Sequence, residues 1–196
     1  MTQSRIRAWT LGFASIFAIL LLLGGVFLAV RGWNNIHVVE EMRVYRSAQL
    51  DPETLGRFIE KHGIRSILNL RGRHPDSRWY QQETAVAQEH GVVLYDRKLS
   101  ALAPVSPKIL NEITDCVDRA PKPLLIHCEG GADRTGLVVS AWLFASRHLP
   151  ANDAARQLSL RYGHFPWLWS DTDAMDHSYW DYVAAHGDII TRADRP

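Results

Sequence analysis

The chain has 196 residues, with 22 lysines and arginines against 21 aspartates and glutamates, a formal net charge of +1 and 46% hydrophobic residues. So balanced a charge leaves no electrostatic footprint for nucleic acid, and two cysteines without any zinc-type Cys/His spacing exclude a disulfide scaffold and a structural metal site. No repeat period and no low-complexity tract is present, which excludes a solenoid.

From the N-terminus, residues 1–7 form a short tail carrying Arg5 and Arg7, and Ala8 to Val30 is an uncharged, mainly apolar run. At a rise of about 1.5 Å per residue such a run crosses a hydrocarbon core of about 30 Å, so 8–30 is predicted as a transmembrane helix and the protein as a single-pass membrane protein. A cleaved signal peptide is the competing reading, although its apolar region normally spans about 7 to 15 residues before a small-x-small site. Arg5 and Arg7 outweigh Arg31 beside the span. The positive-inside bias therefore predicts a cytoplasmic N-terminus and a domain on the far side, the periplasm in a bacterium. Residues 31–43 read as a linker and 44–196 as one domain of ordinary size.

Within that domain, strand-like Val44-Tyr45 precedes a helix over Pro52–His62, opened by Asp51 as N-cap with Pro52 at the first helical position and closed by Gly63. A strand follows over Ser66–Leu70, then a helix near Trp79–His90 stopped by Gly91, a strand over Val92–Tyr95, and a helix over Pro107–Arg119 capped by Ser106. Cys116 falls on the apolar face of that last helix with Leu110, Ile113 and Val117, which reads as a core position. The run Pro123-Leu124-Leu125-Ile126 is a short buried strand, and Leu137 to Phe144 an apolar helix. Alternating strands and helices predict an α/β fold, a central mostly parallel sheet flanked by helices, with a ligand site at the carboxyl end of the central strand.

Between that strand and helix stands His127-Cys128-Glu129-Gly130-Gly131-Ala132-Asp133-Arg134-Thr135-Gly136. Unpaired N–H groups at a helix start carry the positive end of the macrodipole, so the backbone from Glu129 to Arg134 is a ready cradle for a phosphate. The same field favours a thiolate, the form in which a cysteine is nucleophilic. Arg134 can curl back and grip two phosphoryl oxygens with its planar fork, and Thr135 can offer a hydroxyl to the departing thiolate. A lone cysteine reads as a small buried hydrophobe. The spacing Cys-x5-Arg-Thr-Gly between an apolar strand and an apolar helix points instead to a nucleophile in an anion cradle.

This motif resembles the His-Cys-x5-Arg-Ser/Thr signature of the cysteine-dependent protein tyrosine phosphatase superfamily, in its bacterial dual-specificity branch. The segments Val44-Tyr45-Arg46-Ser47-Ala48-Gln49-Leu50 and Gly63 to Arg71 are similar to the opening of bacterial and lower-eukaryote members, so the likeness runs from about Tyr45 to Leu149. The resemblance implies a phosphoric monoester hydrolase acting through a phosphocysteine, with neither cofactor nor metal. It implies substrates among phosphotyrosine, phosphoserine and phosphothreonine proteins, phosphoinositides, and other phosphorylated lipids or polyphosphates.

One departure stands out. The family carries a general-acid aspartate on a loop well before the cysteine, and here Leu99 to Pro107 contains no acid. Asp96, at the end of the strand before that loop, and Asp133, inside the cradle beside Arg134, are the two substitutes. Asp96 reads equally as a solvated strand-end charge, and Asp133 as a carboxylate that orients Arg134 or the loop. Arg71, Arg73, His74 and Arg78 form a basic cluster that reads as a solvated loop or, alternatively, as a second anionic pocket. The aromatic stretch Arg161 to Trp169 is expected to pack over the core or to touch a membrane surface, and a helical stretch over Asp173–His186 closes the domain.

Three functions compete. The first is a phosphatase on phosphoproteins. The second is a phosphatase on a phosphorylated lipid or lipid-linked intermediate, favoured by the membrane segment and Asp133. The third is an inactive phosphate-binding module, which the missing loop acid allows and the complete Cys128, Arg134 and Thr135 set disfavours.

Overall fold

The computed structural model describes residues 17, 20, 21, 34–166 and 171–193, the side chains of 188–193 excepted. The chain divides into two compact units, Met1–Trp33 and Asn34–Pro196. In the first, Phe17, Leu20 and Leu21 are helical and exposed. The second runs β1 (His37–Glu40), β2 (Val44–Ser47), α1 (Pro52–His62), β3 (Ser66–Asn69), α2 (Arg78–Glu89), β4 (Val93–Asp96), α3 (Pro107–Arg119), β5 (Leu124–His127), α4 (Asp133–Arg147), α5 (Ala151–Ala154) and α6 (Asp173–Ala193). Two 3-10 turns, Ala155–Gln157 and Leu160–Tyr162, lie between α5 and α6.

The helix starts follow the sequence rules. Asp51 caps α1 by accepting from the Thr54 N–H at 3.0 Å, and Ser106 caps α3 by accepting from Ile109 at 3.4 Å. Gly63, with φ 61°, ends α1 in the left-handed conformation that glycine adopts without steric penalty.

The five-stranded sheet has the order β1-β2-β5-β3-β4. Strands β2, β5, β3 and β4 are parallel, and β1 is antiparallel to β2. The sheet is therefore mostly parallel, as predicted, and is mixed only through β1, which comes from the segment read as a linker. A turn over residues 41–43, with Met42 at φ 56°, joins β1 to β2, and so short a connection permits only an antiparallel return.

The period of two along β5 separates two cores. Leu124 and Ile126 face α3, α4 and α6 with Leu68, Leu110, Ile113 and Trp142, whereas Leu125 joins Ile67, Leu55, Phe58 and Val86 under α1 and α2. Each such fully buried aliphatic side chain contributes about 1.5 to 3 kcal/mol. Helix α4 is buried at every position from Thr135 to Leu143, because the sheet, α3 and α6 surround it. The Trp142 indole donates to Asp118 Oδ1 at 2.8 Å, tying α4 to α3. A rigid central strand thus runs straight into a rigid central helix. Cys116 is half-buried and packs against the first core from outside it.

The predicted single-pass membrane localisation is corrected. Among the described residues no helix is long and apolar enough to cross a membrane. The longest, α6 with 21 residues, carries Asp173, Asp176 and Asp181, and carboxylates are expensive in hydrocarbon. The predicted span 8–30 lies outside the described residues except for Phe17, Leu20 and Leu21. Of the aromatic stretch, Tyr162 and His164 are buried in the domain, while Trp167, Leu168 and Trp169 lie outside the described residues.

Candidate active site

Strand β5 ends at His127, and Cys128, 2% exposed, follows at the bottom of the loop that climbs to α4. Ala132 occupies the N-cap of α4 and has no side-chain oxygen to offer, so the helix start is left open to an external anion. Gly131 has φ 68°, and a Cβ there would stand 2.6 Å from the carbonyl group of Ser47 and the amide nitrogen of Ala48. The loop is pressed against the end of β2 so closely that only glycine fits. Gly136, in the first turn of α4, is similarly held against the Gln157 carbonyl, 2.7 Å from where its Cβ would be.

Arg46 holds the loop from behind. Its guanidinium is fully buried and donates to Gly131 O at 2.7 Å through Nη2, and to Gln157 O and Oε1 at 3.0 and 2.7 Å through Nη1. It also lies over the Tyr162 ring at 3.9 Å. The Gly131 carbonyl is thereby turned toward Arg46. Burial pulls the Arg46 pKa down to about 10, which leaves it charged at neutral pH. Arg46 was not among the site residues inferred from sequence, where its one signal is a charge inside the strand Val44-Tyr45-Arg46-Ser47.

His127 supports the cysteine from the other side. Its Nδ1 lies 3.1 Å from Cys128 O and its Nε2 3.2 Å from Glu83 Oε2, with both side chains 2% exposed. Gln49 donates its amide to the same Glu83 oxygen, and its backbone N–H donates to Glu129 O at 2.9 Å. Burial pushes the Glu83 pKa up, but the His127 imidazole and the Gln49 amide outweigh it and hold the carboxyl below its ordinary value. Sequence reasoning missed Glu83 too. Its position on the buried face of α2, with Tyr80, Val86 and Ala87, is the signal that could have found it.

Two buried polar atoms at the cradle, Arg134 Nε and Thr135 Oγ1, have no hydrogen-bond partner among the described residues. Buried donors are normally satisfied, so both have the capacity to meet an incoming acceptor. Arg134 is 15% exposed at its side chain, and its Nη2 lies 3.9 Å from Glu129 Oε2. Glu129 itself is 68% exposed at the mouth, and a Cβ on Gly130 would meet open space.

The two candidate acids are both engaged. Asp133 Oδ1 lies 2.7 Å from His164 Nδ1, and His164 Nε2 lies 2.9 Å from Asp176 Oδ2 on α6. Burial lowers the His164 pKa, but hydrogen bonds and charge from Asp133 and Asp176 outweigh this and raise it to about 9. At neutral pH an imidazolium therefore donates to both carboxylates. Asp96 pairs in register with Asn69, which pairs with His127, so it sits two strands from β5, about 10 Å across the sheet. It accepts from Asn69 Nδ2 at 2.8 Å and from the Tyr80 hydroxyl at 2.5 Å.

The raised His164 pKa has a consequence for stability. A histidine at about 6.5 unfolded and about 9 folded contributes its full stabilisation below about pH 6.5 and loses it as pH rises through about 9. The size is about 3 kcal/mol. Melting curves of the wild type and of His164→Gln are expected to differ most at and below pH 6.5 and to converge above pH 9. A difference that stays constant across that range would contradict the buried imidazolium.

A family model described as a DSP-PTPase phosphatase fused to NAD+ kinase matches residues 27–167. Among solved structures, Tk-PTP in the active form aligns at a TM-score of 0.57 and 21% identity, covering 76% of this chain and 98% of that one. TpbA of P. aeruginosa in complex with pTyr aligns at 0.57 and 16% identity, over 76% of this chain and 91% of that one. PTPMT1 in complex with PI(5)P aligns at 0.57 and 12% identity, over 77% and 98%. No curated protein matches the chain.

Proposed function

The chain belongs to the DSP-PTPase family and is a cysteine-dependent phosphatase, a phosphoric monoester hydrolase, and from that premise we propose the role of each site residue. The Cys128 thiolate attacks phosphorus in line, the S–P bond forms and the ester oxygen leaves. Arg134 holds two non-bridging oxygens with its fork while the N–H groups from Glu129 to Arg134 take up the developing charge. Water then cleaves the phosphocysteine, releasing inorganic phosphate, and the Thr135 hydroxyl donates to the returning thiolate. The observation that carries this reading is the pair of orphaned buried donors, Arg134 Nε and Thr135 Oγ1, beside a cysteine at an uncapped helix start.

The substrate we propose is a phosphotyrosine, phosphoserine or phosphothreonine protein; the fold of TpbA, solved with pTyr, supports that choice. A phosphorylated lipid is the second reading, and the observation favouring it is Arg71, whose guanidinium stands beside the cradle rather than in solvent. PTPMT1, solved with PI(5)P, has the same fold. An inactive module leaves the buried Arg134 Nε and Thr135 Oγ1, which have no hydrogen-bond partner among the described residues, without a use.

For the acid, Asp96 is our choice over Asp133. Asp133 is tied through His164 to Asp176 on α6, whereas Asp96 stands at the carboxyl end of β4 with Asn69 and the Tyr80 hydroxyl as its partners. Asp96→Asn is expected to slow alkyl phosphates at least about tenfold more than p-nitrophenyl phosphate, whose leaving group needs no proton. Asp133→Asn is expected to lower stability without that dependence on the leaving group. The reverse pattern in steady-state rates would transfer the role to Asp133. Equal slowing of both substrates by each variant would remove both carboxylates from proton transfer.

A further inference from the structure

Arg71 leaves the end of β3, directly beside β5, and its position is built rather than incidental. Its guanidinium carbon lies 3.7 Å from the centre of the Trp79 ring, and its Nη1 donates to Gln49 Oε1 at 3.3 Å. The backbone N–H of Arg71 donates to Asn69 Oδ1 at 2.8 Å, and His74 Nε2 lies 3.1 Å from its carbonyl oxygen. Gly72 follows at φ 82° against Lys98, where a Cβ would come within 2.6 Å of the Lys98 Cβ, so the chain direction after Arg71 is fixed. The Arg71 side chain is 18% exposed, whereas Arg73 and Arg78 in the same cluster are exposed residues. Of the basic cluster read from sequence, Arg71 alone is drawn into the site, and the solvated-loop reading fails for it.

Gln49 explains why it is drawn in. The same side chain donates to Glu83, which supports His127, while its backbone N–H holds Glu129 O. Arg71 is thus hydrogen-bonded to the support of the cradle. Its Nη2 lies 3.9 Å from Glu129 Oε2, and Arg134 Nη2 lies 3.9 Å from that same oxygen. The two guanidinium groups are therefore no more than about 8 Å apart, sharing one carboxylate oxygen that neither reaches at hydrogen-bond length. Burial pulls the Arg71 pKa down and the positive charge of Arg134 adds to the fall, while Glu129, Glu83 and Cys128 oppose it. Glu83 is committed to His127 and Gln49, so at the mouth the two guanidinium groups share the loosely held Glu129 carboxylate, an arrangement that favours a more highly charged ligand.

We propose that Arg71, seated on Trp79 and Gln49, forms a second anion seat that binds another phosphoryl group of the same substrate while Arg134 holds the one to be cleaved. Glu129 occupies the shared space when substrate is absent and swings out, being 68% exposed, when the second phosphoryl group arrives. The ligand class is a phosphate monoester bearing a second phosphoryl group on a neighbouring carbon, as in a bisphosphorylated polyol, free or as a lipid headgroup. This rests on the reading of Cys128 and Arg134 as the phosphatase cradle and takes up the second of the two substrate readings above in place of the phosphoprotein.

Binding separates the two claims from each other. In the full chain carrying Cys128→Ser, calorimetric titration with inositol 4,5-bisphosphate and with inositol 4-monophosphate is expected to show the bisphosphate binding about 10- to 100-fold tighter, the worth of a charge-assisted bidentate contact. Adding Arg71→Gln is expected to bring that ratio near one, Arg71→Lys to restore it in part, and Glu129→Gln to raise it. The same headgroup on a diacyl lipid in mixed micelles distinguishes the sources: tighter binding there assigns the lipid, and equal binding the free polyol. A ratio near one without any Arg71 substitution, or one that Arg71→Gln leaves unchanged, overturns the seat, and so does tighter binding of a singly phosphorylated tyrosine peptide that ignores Arg71. Hydrolysis of p-nitrophenyl phosphate by the unsubstituted chain judges the phosphatase reading separately, since none of these titrations requires turnover.

Discussion

Cys128→Ser is expected to leave the fold intact and to reduce hydrolysis of p-nitrophenyl phosphate by at least about 10^4-fold, because a nucleophile that forms a covalent intermediate has no substitute in the site. Serine keeps the size and polarity that the 2% exposed position accepts. It lacks an ionised form at neutral pH, so it is a far weaker nucleophile toward phosphorus. The cradle N–H groups and Arg134 are untouched, so the variant should still bind phosphate esters. Rapid-quench trapping of a radiolabelled phosphoenzyme in the wild type and its absence in Cys128→Ser would complete the case. Turnover retained within tenfold of wild type would sink covalent catalysis at this residue.

Arg134→Lys is expected to lower kcat about 10^2- to 10^3-fold while changing the net charge not at all, the range seen when an oxyanion-stabilising donor is removed. Lysine supplies a point charge, whereas the guanidinium presents two parallel N–H groups to two oxygens of the trigonal transition state. The buried and unpartnered Nε of Arg134 is a donor that lysine cannot reproduce at that place. Since the fork matters most when charge spreads over the equatorial oxygens, KM should change far less than kcat. A variant with near wild-type kcat would mean that charge alone organises the phosphoryl group. A rise confined to KM would assign Arg134 to ground-state binding.

The strand, loop and helix from Leu124 to Arg147 were legible because their determinants are local. An apolar strand, glycines where a side chain cannot fit, and an apolar helix follow one another along the chain, with Cys128 and Arg134 at the two ends of a single loop. Caps at Asp51 and Ser106 were legible for the same reason. Strand β1 was not, since four partly exposed residues without alternating burial acquire meaning only when β2 lies alongside. The membrane localisation was read from hydropathy alone and is not borne out by any described helix.

Arg46, Glu83, Arg71 and His164 mark the boundary between the two kinds of information. As letters in a chain each is an ordinary polar residue in a strand, a helix or a loop, and its partner is remote: Gly131 for Arg46, His127 for Glu83, Glu129 for Arg71, and Asp133 for His164. Asp133 shows this most directly, for its sequence neighbours suggested an acid in the cradle, and its tertiary neighbour makes it one arm of a carboxylate-imidazolium-carboxylate bridge to α6. The proposed chemistry rests on one decapeptide, because covalent spacing and backbone geometry suffice to put a cysteine at the foot of an uncapped helix start. Which charges brace that cradle, and which remain to meet a substrate, was decided by packing. A buried charge must find a partner within a few ångströms, and only the folded chain determines who stands there.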